Sequence, residues 1–405
     1  MQTDHDVLII GGGLVGASLA IALDGAGLRV ALAEAAPPQV DLQPSYDERN
    51  LALARATVNA LTALGVWAHV GARATPIRKI HISRQGEFGA VRLNAQRHGV
   101  DAFGAVLPAR ELGNGLLARL EACRELQRYA PARLEAIAMQ DEAISATLAT
   151  AEGTKVVRTR LLVGADGTTS SVRAALGIGV ETHDYAQTAF VTTLTVPQPL
   201  DCAYERFTPT GPIALLPLAE RRAGLVLTVP TADAARVAAL DDGAFIDLLH
   251  ERFGWRLGRL SRPGRRVSYP LKRMAAQRLT AARAVLVGNA AQTLHPIGAQ
   301  GFNLGLRDAL TLAELLIDSA RNARDAGSAG LLADYAQRRR QDRDGTLAWS
   351  DGLARWSADE APPLKLLRSL GLLALDRIAP LQSALVRRGM GFRGVPPRLA
   401  LGERP

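Results

Sequence analysis

The sequence predicts an α/β protein with a parallel-sheet domain, an inserted antiparallel-sheet domain and a helical C-terminal part. Residues 7–34 read as strand, glycine-rich turn, helix and second strand in close succession. Residues 178–269 change to short runs of alternating hydrophobicity, and residues 331–393 show mostly helical spacing. A chain of 405 residues is long enough for two or three domains with a sizeable core.

The parallel-sheet domain begins with a nucleotide-binding pattern. Residues 7–10 form an apolar strand-like run, which Gly11, Gly13 and Gly16 follow in G-x-G-x-x-G spacing, and an apolar helix-like stretch extends to Leu23. The first glycine permits a tight turn, the second lets the backbone approach a pyrophosphate, and the third lets the helix pack close to the sheet. The helix N-terminus favours the phosphates.

A second apolar run, residues 28–33, ends in Glu34, where an acid hydrogen-bonds a ribose hydroxyl in dinucleotide-binding folds. Strand, glycine triplet, helix, second strand and acid occur in order within about 30 residues. This order predicts a Rossmann-like dinucleotide site. The acid favours FAD or NAD over NADP, which an arginine usually accommodates.

The remaining elements follow from periodicity and turn residues. In order, the sequence predicts a loop at 35–44, a helix at 52–64, strands at 77–83 and 89–93, a helix at 110–125, strands at 133–150 and 155–163, the inserted sheet with a helix at 244–253, a strand at 284–287 and a helix at 304–322.

A second motif, LLVGADGTTSSVR, spans residues 161–173. It consists of an apolar strand, an Asp-Gly pair and a turn rich in hydroxyl groups. Asp166 either caps this turn or accepts a hydrogen bond from a ligand hydroxyl, and Gly167 follows it. A third motif, VLVGNAAQTLHPIGAQGFNLGLRD, spans residues 285–308. Its glycine-dense loop lets backbone N–H groups and a helix dipole approach a flat or anionic ligand.

Composition excludes several classes of protein. Two cysteines, Cys123 and Cys202, predict neither a disulfide framework nor a cysteine metal site, and no metal-ligand cluster is expected. The net charge of +9 is mostly arginine spread along the chain, with no basic stretch interleaved with aromatic residues, so nucleic-acid binding is not expected. The apolar N-terminal stretch is too short and glycine-rich for a membrane span, and no basic start for a signal peptide precedes it.

Taken together, the three motifs resemble those of the FAD-dependent aromatic hydroxylases of the para-hydroxybenzoate hydroxylase type. The segments at residues 288–308, 205–212 (ERFTPTGP) and 253–258 (FGWRLG) are similar to the branch of that family that hydroxylates 2-octaprenyl-6-methoxyphenol in ubiquinone biosynthesis. The resemblance runs from the N-terminus to about residue 343. It implies an FAD-binding domain at 1–75, 100–177 and 275–340, a substrate domain at 76–99 and 178–274, and a helical segment at 341–405.

The resemblance also implies which residues hold the cofactor. Gly11, Gly13 and Gly16 match the family's pyrophosphate contacts, Glu34 matches the contact to the adenosine ribose, and Arg49 and Arg110 match arginines that touch FAD. Asp166 and Gly167 match an FAD motif that is also associated with a transient NAD(P)H site. Gly288 and Asn289 match the contacts to the ribityl chain, and Gly301, Phe302 and Asn303 match the start of the helix that points at the flavin. The chain departs from the family at Asn289, where an aspartate is usual. An amide can still hydrogen-bond a hydroxyl. It also reads GAQG at residues 298–301, where the family more often has AGQG.

The family's chemistry implies that reduced flavin reacts with O2 to give a C4a-hydroperoxide, which passes one oxygen to an electron-rich ring. NAD(P)H is the implied transient electron donor, and the implied substrate is a prenylated methoxyphenol. Candidates for a base or a positive field that helps to ionise the phenol are His295, Tyr185, Tyr204 and Arg206, and Pro296 would lie near the flavin face.

A long prenyl tail implies a route from a membrane or a partner to the site. Residues 364–388 are apolar with flanking cations and either lie on lipid or pack on the core or a partner. Other ubiquinone-biosynthesis proteins are the expected partners. The expected location is the cytoplasm, either free or peripheral to the inner membrane.

Three other functions stay open at this point. The chain could hydroxylate another aromatic compound or ring position, or serve as a non-catalytic FAD-binding scaffold in a biosynthetic complex. A plain NAD dehydrogenase is the third reading, but it leaves the Asp-Gly and Gly-Asn motifs unexplained.

Overall fold

The structure is a computed structural model that describes residues 3–37, 47, 49–358 and 362–403. The strands in chain order are β1 (His5–Ile10), β2 (Val30–Ala33), β3 (Asn50–Ala54), β4 (Thr75–Pro76), β5 (Lys79–Arg84), β6 (Ala90–Asn94), β7 (Gly104–Pro108), β8 (Gln127–Tyr129), β9 (Ala132–Met139), β10 (Ile144–Thr150), β11 (Gly153–Gly164), β12 (Val180–Thr195), β13 (Cys202–Phe207), β14 (Ile213–Pro217), β15 (Arg222–Pro230), β16 (Val267–Ala276), β17 (Thr280–Ala281), β18 (Ala284–Leu286) and β19 (Gln292–Thr293). The helices are α1 (Leu14–Ala22), α2 (Arg55–Ala63), α3 (Trp67–Val70), α4 (Ala109–Glu121), α5 (Ser171–Ala175), α6 (Ala234–Ala238), α7 (Asp242–Phe253), α8 (Gln300–Arg321), α9 (Ala329–Ala358), α10 (Pro362–Arg377) and α11 (Ala379–Gly389).

The first sheet places the N-terminal strand at its centre. Its parallel strands follow the order β18-β11-β1-β2-β8, and residues 7–9 of β1 are fully buried, as the continuous apolar run requires. Ile10 pairs with Gly164, and Gly164 pairs with Leu286. The carboxyl ends of β1, β11 and β18 therefore meet at one edge, so the turns that carry the three sequence motifs begin side by side.

The second sheet is built from the inserted segments. Its eight strands follow the order β19-β16-β12-β15-β14-β13-β5-β6, and all pairs are antiparallel except β13 with β5. Helix α7 packs on one face through Phe245, Leu249 and Phe253. The opposite face contributes side chains to a large cavity that reaches the edge of the first sheet.

Helices complete the core and the cavity. Helix α8 packs between α1 and α9, and the hydroxyl of Tyr335 on α9 donates to the carbonyl oxygen of Leu286 at 3.2 Å. Helix α10 packs on β6, where Leu372 joins Val91 and Leu93 in a separate apolar cluster. The C-terminal helices therefore belong to the same packed body as the second sheet.

The fold class is confirmed, whereas some predicted element bounds were wrong. The helix predicted at 52–64 begins at Arg55, because residues 50–54 form β3 and pair with β7. Non-local hydrogen bonds outweighed the helix propensity of this alanine-rich stretch. The strand predicted at 133–150 is two strands, β9 and β10, joined by a turn. Residue 340, where a domain boundary was predicted, lies within α9, and the division into domains stays a prediction. Most of the predicted loop at 35–44 lies outside the described residues.

Within the described ranges, no single helix is long and apolar enough to cross a membrane. Helices α10 and α11 meet the length and composition requirements only as a pair, with an angle of 89° between them.

Candidate functional site

The glycine triplet adopts the backbone that its spacing predicts. Gly11 has a φ of +104°, and a Cβ at this position would lie 2.5 Å from the carbonyl oxygen of Ala165. A Cβ on Gly16 would clash with the carbonyl oxygen of Gly11, so glycine is needed for α1 to lie this close to β1. Gly13 is the N-cap of α1 and supplies no capping side chain, which leaves the first N–H groups of the helix open to a phosphate.

Glu34 lies directly after β2 and next to the glycine turn. Its Oε2 accepts a hydrogen bond from the backbone N–H of Gly12 at 2.5 Å, and Oε1 accepts one from Ala36 at 2.8 Å. The carboxylate thus lies at the end of the strand where a dinucleotide presents its ribose in this fold. Its role as the ribose ligand stays a prediction.

The Asp-Gly motif supports its own turn. Asp166 Oδ1 accepts from the hydroxyl of Ser170 at 2.5 Å, and Oδ2 accepts from the hydroxyl of Ser171 and the backbone N–H of Val172. Of the two roles predicted for Asp166, the geometry favours capping the turn, and Ser170 is the N-cap of α5. Gly167, with a φ of +82°, lines the cavity itself.

The two predicted FAD arginines converge on Asp47. Arg49 lines the cavity, lies 2.7 Å from a carboxylate oxygen of Asp47, and stands 5.8 Å from the centre of the Tyr269 ring. Arg110 is exposed in the first turn of α4, and its backbone N–H donates to the carbonyl oxygen of Asp47. Both arginines therefore border the same side of the site.

A buried ion network supports the Gly288–Asn289 turn from behind. The N–H of Gly288 donates to Asp308 Oδ2 at 3.1 Å, while Asp308 Oδ1 accepts from Arg339 at 2.7 Å. Arg339 also pairs with Asp342 at 2.8 Å. Burial raises the pKa of Asp342, but the charges of two arginines outweigh this and hold it below its ordinary value. Asn289 is exposed and faces the cavity, so its amide can reach a ligand hydroxyl.

The start of α8 also faces the cavity. The N-cap is Ala299, in the left-handed conformation with a φ of +50° and without a side-chain cap. A Cβ on Gly301 would meet nothing within 4 Å, which leaves room for a ligand over the helix N-terminus. Phe302 and Asn303 line the cavity beside it, although the Asn303 side chain is itself bonded to neighbouring backbone.

One cavity of about 1040 Å³ joins most of these positions. The predicted site residues that line it are Gly13, Arg49, Gly167, Asn289, His295, Pro296, Gly301, Phe302 and Asn303. The other predicted cofactor residues do not line the cavity but shape or flank its edge; they are Gly11, Gly16, Glu34, Arg110, Asp166 and Gly288. The uncapped helix starts, the glycine turn without side chains and the exposed amide fit an FAD molecule.

The structure argues against His295 as a base. His295 is 1% exposed, its Nδ1 accepts from the N–H of Ile297, and its Nε2 lies 3.1 Å from the side-chain oxygen of Gln187. Burial lowers the pKa of His295 to about 4. With both nitrogens engaged in the neutral form, the ring fixes the loop that ends in Pro296 and has no free lone pair for a substrate proton.

The other three base candidates are equally unsuited. The hydroxyl of Tyr185 donates to Asp351 at 3.1 Å, outside the cavity lining. Arg206 donates to the carbonyl oxygen of Arg252, on the α7 side of the sheet. Tyr204 also borders the cavity, but its ring packs edge-on against Phe253 of α7, and burial raises the pKa of its hydroxyl to about 12.

Glu205 lies between two of these candidates on β13 and was not among the site residues predicted from the sequence. Its carboxyl faces the cavity, and burial raises its pKa to about 8. The alternation of a strand was the available signal, because residues 203, 205 and 207 must share the face opposite to residues 204 and 206.

Comparisons with known proteins agree with this geometry. Residues 4–350 match a family model described as an FAD binding domain. The ubiquinone hydroxylase UbiL of Rhodospirillum rubrum is 38% identical over 401 residues, which cover 98% of this chain and 92% of that protein. The 3-demethoxyubiquinol 3-hydroxylase of Escherichia coli is 32% identical, over 96% of this chain and 98% of its own length.

A solved structure shows the same fold. The p-nitrophenol 4-monooxygenase PnpA of Pseudomonas putida superposes with a TM-score of 0.80, over 98% of this chain and 100% of PnpA. The two sequences are 18% identical, so this likeness concerns the fold alone.

Proposed function

Because the chain belongs to the FAD-dependent monooxygenases, we propose that it hydroxylates the ring of a prenylated methoxyphenol in ubiquinone biosynthesis. The named relatives support the pathway, since two of them are hydroxylases of ubiquinone or its precursors. The two relatives do not indicate a common ring position, because the name of the Escherichia coli relative specifies position 3 and the name of UbiL specifies no position.

One observation carries the proposal: the same cavity is lined by the cofactor motifs, which fit FAD, and by many apolar side chains. Away from the cofactor motifs, the cavity is lined by side chains of the second sheet and of the C-terminal helices. These side chains include Ile80, Ile82, Val91, Leu93, Ala203, Phe207, Leu216, Leu372, Leu375, Leu385 and Val386, and Phe103, just before β7, joins them. An aromatic head could lie near the flavin while its hydrocarbon tail contacts this wall.

The chain's own residues would orient the reaction. Gly13, Asn289 and the N-terminus of α8 would hold the cofactor, and the apolar wall would exclude water from the ring. When bound and reduced, FAD would supply the activation of O2 and one oxygen atom for the ring. NAD(P)H is the proposed transient donor of the two electrons, bound near Gly167.

Helices α10 and α11 suggest how a tail could enter. Leu372 and Leu375 of α10 face the cavity, whereas Leu366, Leu367 and Leu370 are 51–60% exposed. The α10–α11 pair thus has an apolar inner face and apolar outer positions near the cations of the segment. We propose that this helix pair contacts the membrane from which the substrate comes, and that other enzymes of the pathway are partners.

The test uses purified FAD-loaded protein, NAD(P)H, isotopically labelled O2 and 2-methoxyphenols that carry a short prenyl chain. The expected product contains one labelled oxygen on the ring, and mass spectrometry with fragmentation gives its position. Cells that lack the gene should accumulate the same methoxyphenol with its natural tail. Absence of both the labelled product and the accumulated precursor would contradict the proposed function.

A further inference from the structure

The strand β13 places one acid on the wall of the apolar cavity. Glu205 pairs with Ala214 of β14 on one side and Ile82 of β5 on the other, in the interior of the second sheet. Ala203 and Phe207 flank it along the same face. The carboxyl therefore projects from the middle of an apolar surface.

Glu205 differs from the other acid of the cavity wall. Among the described lining residues only Glu87 and Glu205 carry carboxylates, and Glu87 is paired with Arg84 at 2.8 Å and Arg368 at 2.9 Å. The Glu205 carboxyl makes no ion pair or hydrogen bond within the described part of the chain. An unpaired acid in an apolar wall is costly, which favours a role with a ligand.

We propose that Glu205 binds the ring hydroxyl of the substrate and accepts its proton, and this inference rests on the proposed function. The O–H bond of the phenol breaks, an O–H bond forms on the Glu205 carboxylate, and the electron pair stays on the ring oxygen. The resulting phenolate is more electron-rich than the phenol and reacts more readily with an electrophilic oxygen.

The surroundings of Glu205 suit this task. Burial alone raises its pKa to about 8, so about a tenth of the carboxyl is ionised at pH 7, and the carboxylate is a stronger base than an exposed one. The other charged or titratable groups on the cavity wall are Arg49, Arg84, Glu87, Tyr204, Lys272, Tyr269, His295, Arg307, Arg368, Arg388 and Arg393. None of them contributes to the pKa shift of Glu205.

The test compares the wild type with Glu205→Gln, which keeps the size and hydrogen bonding of the side chain but cannot take up the proton. Glu181→Gln is the matched control, because Glu181 is an exposed glutamate on strand β12 of the same sheet. The FAD content of each purified protein shows that it is folded. The probes are 2-methoxy-6-prenylphenol and its methyl ether.

The first readout is equilibrium binding, which is measured without an electron donor through the change in flavin absorbance. In the wild type, binding of the methyl ether should weaken as pH rises through about 8, because the ionised carboxyl would face an ether that cannot donate. Binding of the phenol should not weaken over that range. In Glu205→Gln both affinities should be independent of pH there.

The second readout is the rate of hydroxylation. The wild-type rate should fall as pH drops below about 8, whereas Glu205→Gln should be about 100-fold slower and lack this dependence. Glu181→Gln should match the wild type. A Glu205→Gln protein with wild-type rate and pH profile would overturn the inference while the proposed function stands. A wild type that neither binds nor converts the phenol would overturn both.

Discussion

At the scale of single residues, two positions at the start of α8 have different roles: the Asn303 side chain holds the backbone, and Gly301 leaves space for a ligand. The side chain of Asn303 accepts hydrogen bonds from Ala54 N–H and Thr57 Oγ1 and donates to the carbonyl oxygens of Ala52 and Ala299. The side chain is 2% exposed, so all its hydrogen-bonding capacity is used to link α8 to β3. Gly301, two residues earlier, has open space above it.

Gly301 therefore allows a clean test of the cofactor site. We expect Gly301→Val to lower the affinity for FAD at least about tenfold, because its side chain would enter the space over the helix N-terminus. The matched control is Gly330→Val, since Gly330 is likewise the second residue of a helix with open space around it. Fluorescence titration of the apoproteins with FAD gives the affinities, and equal values for the two variants would contradict the assignment.

At the scale of elements, α10 has two faces with different tasks. Arg368 and Leu372 lie one turn apart on the buried face, and Arg368 pairs with Glu87. This pairing fixes the helix to the second sheet, while the leucines on its other face stay exposed. An apolar outer face next to an apolar cavity is the arrangement expected where a hydrocarbon tail leaves a membrane.

The prediction for α10 concerns binding to vesicles. The triple change Leu366→Gln, Leu367→Gln and Leu370→Gln should weaken co-sedimentation with vesicles of phosphatidylethanolamine and phosphatidylglycerol, because it removes apolar area that would enter the lipid.

A matched triple change replaces exposed apolar residues elsewhere, at Met139, Val156 and Val395, also by Gln. This control should bind vesicles like the wild type. If both triple variants sediment as the wild type does, the outer face of α10 does not contact lipid.

At the scale of the whole molecule, the two eight-stranded sheets meet around a cavity whose walls include groups with opposite pH behaviour. His295 is buried as a neutral ring, so its folded pKa of about 4 is below the ordinary value of 6.5. Between these values the unfolded chain binds more protons than the folded one, and the free energy of unfolding falls as pH drops. Glu205, whose pKa is raised, lowers stability as pH rises from 4.5 to about 8.

The histidine effect is measurable by denaturant unfolding. From pH 6.5 to 4, His295 should remove about 3 kcal/mol from the free energy of unfolding. His295→Gln, which cannot be protonated in this range, should make the pH dependence shallower by that amount. His69→Gln changes an exposed histidine and is the control. An unchanged slope in His295→Gln would show that His295 does not titrate as its burial requires.

The local motifs could be predicted because their requirements are local. Gly11 and Gly16 are needed where a Cβ would meet backbone, and such positions leave a fixed spacing in the sequence. The same holds for the helical periodicity of the long helix α8 and for the alternation along the inserted strands. The start of β3 was misjudged because its partner, β7, lies about 50 residues away in the chain.

The sequence by itself determined the fold class, the FAD-type turn and the order of the three motifs, since short-range spacing and periodicity encode them. Only the tertiary structure decided which side chains share the cavity. Strand alternation separates Glu205 from Tyr204 and Arg206, but the packing of α7 on one face decides which side is the cavity wall. Likewise, Asp308 supports the turn at Gly288 through contacts between elements distant in sequence, which no local pattern records.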